Sequence, residues 1–128
     1  MADKDRNVVF RMGGMLFEYD EEKNKANIRK HGISFRSAAR VFFDYNRIEM
    51  FDEENSTEED RYDTIGSVTA GNGEYTIGKV SGSDKDILFV VYTERELTVE
   101  DGKQEEVTRI ISARFATNFE RGLYYGKY

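Results

Sequence analysis

Three consecutive basic residues, Arg29, Lys30 and His31, stand directly before Gly32 and include the only histidine of the chain. An imidazole can transfer protons near neutral pH, and lysine and arginine can hold phosphate charge, so the group is suited to chemistry at a phosphate. The same residues also suit the last turn of a helix, where a cation gains up to about 1 kcal/mol from the helix dipole. Spacing alone favours this helix-end interpretation.

RNA can be cleaved without a metal when a ribose 2′-hydroxyl attacks its own phosphate. A histidine or carboxylate then moves the proton, while arginine and lysine stabilise the crowded phosphorane. Arg61 and Arg95 have acidic sequence neighbours, so ordinary surface ion pairs are the alternative for them. Cations suited to this chemistry lie near predicted strand ends and helix termini: Lys30, Arg61, Arg95, Arg109 and Arg114.

Strand geometry restricts which of these cations can act together. Arg109 and Arg114 are an odd number of residues apart, so a regular strand would direct them to opposite faces of the sheet. They can share a groove only if a bulge or the end of the strand intervenes. We therefore prefer Arg114, which lies where the strand leads into the last helix, and rank Arg109 second.

The composition excludes several classes of protein. At 128 residues the chain is the size of one domain, without cysteine and with one histidine, so thiolate and imidazole-rich metal sites are excluded. Phosphate-loop, dinucleotide-binding and nucleophile-elbow motifs are missing, so we expect no cofactor. The start lacks an apolar signal core and no apolar run is long enough to span a membrane, which favours a cytoplasmic protein.

The net charge of −6 comes from one segment, because residues 51–60 hold six acidic side chains and no basic one. Outside this segment the chain has nineteen charges of each sign. A solvated loop is the favoured interpretation of such a run, and a docking surface for a basic partner or a cover over a basic groove is the alternative.

Helix signals occur at both ends of the chain. Asp20 is a predicted N-cap for a helix that ends at Gly32, and Ser34 for a second helix. The second has an apolar stripe formed by Phe35, Ala38, Ala39 and Phe42. Thr117 and Glu120 predict a capping box at the start of a third helix.

Between the helices the sequence alternates or clusters apolar residues as strands do: "LFEYD" at residues 16–20, "RIEMF", "RYDTIGSV", "ILFVVYT" and "TRIISARF". The grouping of helices predicts an α+β fold, with a mainly antiparallel sheet, two N-terminal helices and one C-terminal helix. We expect one domain over residues 1–128 with a frayed leader at 1–15. "TIGSVT" returns as "TIGKVS", which predicts a hairpin, with residues 70–86 as an insertion.

Four segments, taken together, resemble one family: "FEYDEEKNKANIRKHGISFRSAARVFFD", "DRYDTIGSV", "LFVVYTER" and "RIISARFATNFERGLY". They are similar, in the same order, to the BrnT family of type II toxin–antitoxin ribonuclease toxins. Lys-His-Gly after the first helix and Ser-Ala-Arg before the last are the most specific parts.

The resemblance implies a RelE-like fold, an RNA-cleaving activity that inhibits translation, and no cofactor. It also implies a BrnA-like antitoxin with a ribbon-helix-helix domain, through which the complex would bind operator DNA. The family pattern falls on Lys30, His31, Arg61, Arg114, Glu120 and Arg121 of this chain. With the chemistry above, it predicts Lys30, His31, Arg61 and Arg114 as catalytic residues and Arg29, Arg95, Arg109 and Arg121 as RNA-binding residues.

The chain also departs from the family pattern. Phe115, Asn118 and Phe119 stand where basic residues are common, which removes cations from the expected groove and weakens salt-dependent RNA binding. The sequence therefore predicts a metal-independent endoribonuclease that binds RNA, with a non-catalytic RelE-like protein-binding module as the alternative.

Overall fold

The computed structural model describes residues 6–69 and 87–128. These residues form a six-stranded sheet in the order β1-β2-β6-β5-β4-β3, in which only the β2–β6 pair is parallel. The mostly antiparallel α+β class is confirmed. The strands are β1 Asn7–Met12, β2 Met15–Asp20, β3 Ile48–Phe51, β4 Tyr62–Ser67, β5 Ile87–Thr98 and β6 Gln104–Phe115; the helices are α1 Glu21–His31, α2 Phe35–Ala38, continued by a 3₁₀ segment Ala39–Phe43, and α3 Asn118–Tyr124.

The expected frayed leader is wrong for Asn7–Met12, which form the edge strand β1. This strand pairs with β2 over its whole length, from Asn7 opposite Asp20 to Met12 opposite Met15. Gly13 and Gly14 make the turn with φ of 54° and 84°, a backbone conformation that glycine adopts without a Cβ penalty. Phe10 supplies the buried side chain that attaches the strand to the core.

Helix α1 begins and ends as the sequence predicts. The Asp20 side chain accepts a hydrogen bond from the N–H of Glu22, and Gly32 at φ 73° donates its N–H to the carbonyl of Ile28. The buried residues of this helix are Asn24 and Asn27, which are both polar. The Asn27 amide donates to the Ala113 carbonyl at 2.8 Å and its oxygen accepts from the Ala113 N–H at 3.2 Å. Helix α1 therefore covers the edge of β6 by hydrogen bonding rather than by apolar packing.

The predicted stripe of α2 is buried, with Phe35, Ala38 and Ala39 fully so. Ser34 caps the helix by accepting from the Ser37 N–H, and the segment tightens to 3₁₀ after Ala38. These residues pack on one face of the sheet against Phe17, Val90, Ala113 and others, which form the larger core cluster. We call this side the α2 face.

The opposite side, here the α3 face, holds a smaller cluster of Ile65, Ile87, Ala116 and Tyr124. Tyr124 donates to the buried Asp44 carboxylate at 2.5 Å, and the Ser67 N–H donates to the same oxygen at 2.8 Å. The capping box of Thr117 and Glu120 starts α3 as predicted. These contacts fix α3 next to β4.

Two further expectations concern the middle of the chain. Strand β4 pairs with β3 and β5, while "TIGKVS" and the predicted insertion at 70–86 lie outside the described residues. Among the helices that the structure does describe, none is long and apolar enough to cross a membrane.

Candidate active site

A β-bulge in β6 brings Arg109 and Arg114 to the same face of the sheet. The register runs from Ala113 opposite Val90 and Ser112 opposite Val91 to Ile110 opposite Tyr92, so Ile111 is the extra residue. Ala113 and Ile110 both lie in the core of the α2 face. Their neighbours Arg114 and Arg109 therefore both lie on the α3 face. Without the bulge, the odd spacing of these two arginines would have put them on opposite faces.

Arg114 is held in a fixed orientation. Its Nη1 and Nη2 donate to the two carboxylate oxygens of Glu120 at 2.7 and 3.0 Å, and its Cζ lies 4.2 Å from the centre of the Phe89 ring. The hydrogen bonds that Arg114 donates to Glu120 raise the pKa of Arg114 above its ordinary value. Burial acts to raise the pKa of Glu120, but hydrogen bonds from Arg114 and from the Thr117 N–H lower it overall. A bidentate, stacked guanidinium of this kind is suited to phosphate recognition.

Asp63 on β4 lies on the same face as Arg114, with β5 between them. Asp63 lies opposite Val91 of β5, and Val91 lies opposite Ser112 of β6. Ser112 is two residues from Arg114 along β6. Burial raises the pKa of Asp63 to about 7. A hydrogen bond that protonated Asp63 donates to Asp52 and the negative charge of Asp52 add to this shift, and the positive charge of Arg114 opposes it. Asp63 Oδ1 is buried and has no hydrogen-bond partner among the described residues. A carboxyl group with this pKa can accept or donate a proton at neutral pH.

Asp52 and Arg61 complete this group through the acidic loop. The Asp52 N–H donates to the Arg61 carbonyl at 2.8 Å, so the loop closes on itself. The Asn55 amide lowers the pKa of Asp52, with contributions from Asp63 and Arg61. Arg61 is loosely paired with Glu59 at 3.8 Å, and its Nε makes no hydrogen bond within the described part of the chain. The loop thus places the Asp52 carboxylate next to Asp63, and the Arg61 guanidinium lies close enough to act on Asp52.

We refer to Asp52, Arg61, Asp63, Arg114 and Glu120 as the carboxyl–guanidinium cluster. Arg61 and Arg114 were predicted, whereas Asp52 and Asp63 were missed. The segment "RYDT" could have indicated Asp63 as a site residue, because alternation along a strand puts its carboxylate on the same side as Arg61. Its pairing with Asp52 depends on the β3–β4 register, in which Asp63 lies opposite Met50.

Lys30, His31 and Arg29 occupy the last turn of α1, where they interact favourably with the helix dipole. Arg29 and Lys30 are exposed and His31 is partly buried. Over residues 6–69 and 87–128, neither Lys30 nor His31 is among the charges that shift the pKa of Asp63, Arg114 or Glu120. Their catalytic role stays a prediction.

Arg95 and Arg109, predicted to bind RNA, have a carboxylate partner in the structure. Glu18 is completely buried, and its oxygens lie 2.6 Å from Arg95 Nε and 3.2 Å from Arg109 Nη1. Asn7 links the same group, since it donates to Glu18 and accepts from Arg109. Because an isolated buried carboxylate is very unfavourable, both arginines have a structural function here.

Arg121, the last predicted RNA contact, lies on α3. It donates to the Ala116 carbonyl at 2.9 Å and to the Asn118 side chain. These bonds direct the guanidinium toward the first turn of its own helix.

A cleft of about 680 Å³ with mainly acidic walls lies beside Arg61. Burial raises the pKa of Glu94, and the charges of Glu106 and Glu49 add to the shift. This cleft repels RNA and favours a cationic ligand. Its lining residues are Glu59, Asp60, Tyr62, Thr93, Glu94, Arg95, Glu96 and Glu106.

Within the described ranges, no three acidic or imidazole side chains come together as a metal-binding group. The positive charge of the carboxyl–guanidinium cluster comes from Arg61 and Arg114. The arrangement can therefore bind an oxyanion and move a proton beside it.

The structure is thus an α+β protein in which arginine and carboxyl side chains come together on one face of the sheet. Residues 19–76 match the model of the ribonuclease toxin BrnT of type II toxin–antitoxin systems. Over this segment the match confirms the resemblance to the BrnT family that was seen in the sequence. The proteins that this model describes are ribonuclease toxins of toxin–antitoxin pairs. A search of the curated proteins finds no match.

The matched segment contains Lys30, His31, Arg61 and Asp63 and ends before β5. Arg114 and Glu120 lie beyond it. The family match therefore concerns Arg61 and Asp63, whereas Arg114 and Glu120 join the cluster on the evidence of the structure.

Proposed function

We propose that this chain is a metal-independent endoribonuclease toxin, with the carboxyl–guanidinium cluster as its active site. The observation that supports this most is the placement of Asp63, a carboxyl group with a pKa of about 7, on one face with Arg114. The proposal includes a RelE-like fold, a single domain over the whole chain and action in the cytoplasm.

The proposed reaction is an internal transfer at one RNA phosphate. Ionised Asp63 takes the proton of the ribose 2′-hydroxyl, and the 2′-oxygen forms a bond to phosphorus. The bond from phosphorus to the 5′-oxygen breaks, and that oxygen leaves with a proton from water or from His31. The products carry a 2′,3′-cyclic phosphate and a 5′-hydroxyl.

The two arginines stabilise the charge that builds on the phosphorane. Arg114 presents its remaining N–H groups while Glu120 and Phe89 hold its plane. Arg61, whose charge acts on Asp52, adds a second positive charge to the cluster. Preorganised donors of this kind each contribute about 10²–10³ in rate. Lys30 at the end of α1 is proposed to bind the adjoining phosphate.

We further propose that cleavage inhibits translation and that a BrnA-like antitoxin with a ribbon-helix-helix domain neutralises the toxin. Operator DNA would then be bound only through the complex, because the toxin itself carries a net charge of −6.

Inducible expression in a bacterial host without an antitoxin tests the proposal. We expect growth arrest with the native chain, and normal growth with Arg61→Ala or Arg114→Ala at equal protein levels. Co-expression of a ribbon-helix-helix antitoxin should restore the growth of the host that expresses the native chain. Unimpaired growth with the soluble native protein would contradict the toxin assignment.

The second candidate is a non-catalytic member of the fold that only binds protein, for which the acidic cleft beside Arg61 is the supporting observation. This module would bind a basic partner without cleaving RNA. Harmless overexpression together with retained antitoxin binding would favour it.

A further inference from the structure

A second cleft, of about 510 Å³, lies on the α2 face between the β1–β2 turn and the second helix. Its size is in the range of sites for small molecules or single nucleotides. The charged residues of its lining are both arginines, in a chain whose net charge is −6. The lining consists of Met12, Gly13, Ser34, Arg36, Ser37, Arg40 and Phe43. We call it the arginine cleft.

Arg36 is oriented by an aromatic ring. Its Cζ lies 4.3 Å from the centre of Phe10, which itself stacks on Phe17 with ring centres 5.3 Å apart. Stacking uses the flat face of the guanidinium and leaves the N–H donors at its rim for a ligand. Arg40 follows four residues later and lies on the same cleft.

Phe43 forms an aromatic wall of the cleft. A Cβ atom at position 13 would lie 2.6 Å from the Cε1 atom of this ring, so Gly13 allows the turn to approach it closely. The ring also packs edge-on against Phe17, with centres 6.3 Å apart. A fixed, partly exposed ring is a suitable surface for stacking of a base.

Two hydroxyl groups complete the lining. The Ser34 hydroxyl donates to the Ser37 hydroxyl at 3.0 Å and accepts from the Ser37 N–H at 3.1 Å. Ser37 therefore has its own O–H proton to donate to a ligand.

We propose that the arginine cleft binds one nucleotide of a single RNA strand, with the phosphate on Arg36 and Arg40 and the base against Phe43. This inference rests on the proposed function, because RNA is taken as the ligand. Guanidinium groups beside an aromatic ring and hydroxyls match a nucleotide better than an acidic peptide, which has no base to stack. The cleft lies on the other face of the sheet from Asp63, so it extends the substrate contact and takes no part in the cleavage step.

The test is binding of a fluorescent 2′-O-methyl RNA oligonucleotide, which lacks the attacking hydroxyl, measured by anisotropy from low to high salt. The Arg36→Ala/Arg40→Ala variant should bind about tenfold more weakly or worse. Its slope of log affinity against log salt should be smaller by about 1.4, that is 0.7 for each lost phosphate contact. Lys23→Ala/Lys25→Ala, which removes two exposed cations of α1, is the matched control and should bind like the native chain.

Ser37→Glu is a second variant, which keeps both arginines and adds an opposing charge to the cleft. It should weaken RNA binding as well, while thermal unfolding checks that each variant is folded. Native affinity in both cleft variants would overturn the arginine cleft while leaving the proposal for Asp63 and Arg114 standing. Failure of the native chain to bind RNA would overturn both proposals. Arginine-dependent binding of a polyglutamate peptide in place of RNA would also overturn the inference.

Discussion

Asp63 and Arg114 lie on the same face of the sheet, one on β4 and the other on β6, with β5 between them. Neighbouring strands are about 4.8 Å apart and Arg114 lies two residues beyond the position opposite Asp63, so the two Cα atoms are separated by roughly 12 Å. An aspartate and an arginine side chain can bridge this span around one phosphate. Burial raises the pKa of the carboxyl to about 7 even though the guanidinium opposes the shift. This relationship brings a carboxyl group that can exchange a proton near neutral pH to the same face as a guanidinium.

The raised pKa predicts a pH-dependent stability. The folded carboxyl keeps its proton up to about pH 7, whereas in the unfolded chain it ionises near 3.8, so the stability that it contributes is lost as the pH rises through this interval. Asp63→Asn stays neutral at every pH. We therefore expect this variant to gain in Tm over the native chain between pH 4 and 7, with a constant difference above about pH 8.

Thermal unfolding followed by circular dichroism at pH 4, 5, 6, 7, 8 and 9 measures this difference. Glu58→Gln removes one exposed charge from the acidic loop and is the matched control. A constant difference between Asp63→Asn and the native chain over the whole range would show that Asp63 ionises as an ordinary aspartate.

Replacement of Arg114 separates catalysis from surface pairing. Arg114→Ala should lower kcat/KM for RNA cleavage by about 10²–10³, because a preorganised donor to the phosphorane is lost. Arg11→Ala is the control, since Arg11 also forms a bidentate pair, with both bonds to Glu105 at 2.7 Å on the exposed surface. Its cleavage rate should equal that of the native chain. Equal losses in the two variants would assign the effect to general charge rather than to a site.

We expect Arg109 to contribute more to the stability of the folded chain than to the binding of RNA. Arg109→Ala leaves the buried Glu18 with Arg95 and the Asn7 amide as partners, and we expect the free energy of unfolding to fall by about 3 kcal/mol in urea titrations. Replacing the pair by Glu18→Leu/Arg109→Met should recover much of this loss, because no unpaired charge is then buried. An unchanged unfolding free energy in Arg109→Ala would return this residue to the RNA-binding candidates.

Local signals in the sequence were sufficient to predict most helix ends. Asp20, Gly32 and Thr117 act on neighbouring backbone atoms, so their capping roles can be read without tertiary structure. The sequence did not predict strand β1, because Phe10 is its single buried aromatic residue and gives only a weak strand pattern. The strand forms because the turn at Gly13 and Gly14 lets it pair with β2.

Only part of the candidate site could be predicted, again because local signals can be read from the sequence and contacts between strands cannot. Arg61 and Arg114 are recognisable by residue type and motif, but the bulge at Ile111 is a property of two paired strands. The shift in the pKa of Asp63 requires burial and the approach of Asp52 from another strand end. Neither can be deduced from spacing along one segment.

In the proposed reaction Asp63 takes the proton of the reacting ribose while Arg114 holds the phosphate. The most direct measurement is the pH profile of kcat/KM for cleavage of a labelled RNA in EDTA, with identification of the product ends. We predict 2′,3′-cyclic phosphate ends, a rate that rises with pH to a plateau through an apparent pKa of about 7, and a 10²–10⁴-fold loss in Asp63→Asn together with loss of that limb. Cleavage by Asp63→Asn at the native rate and with the native pH profile would show that Asp63 does not carry the proton.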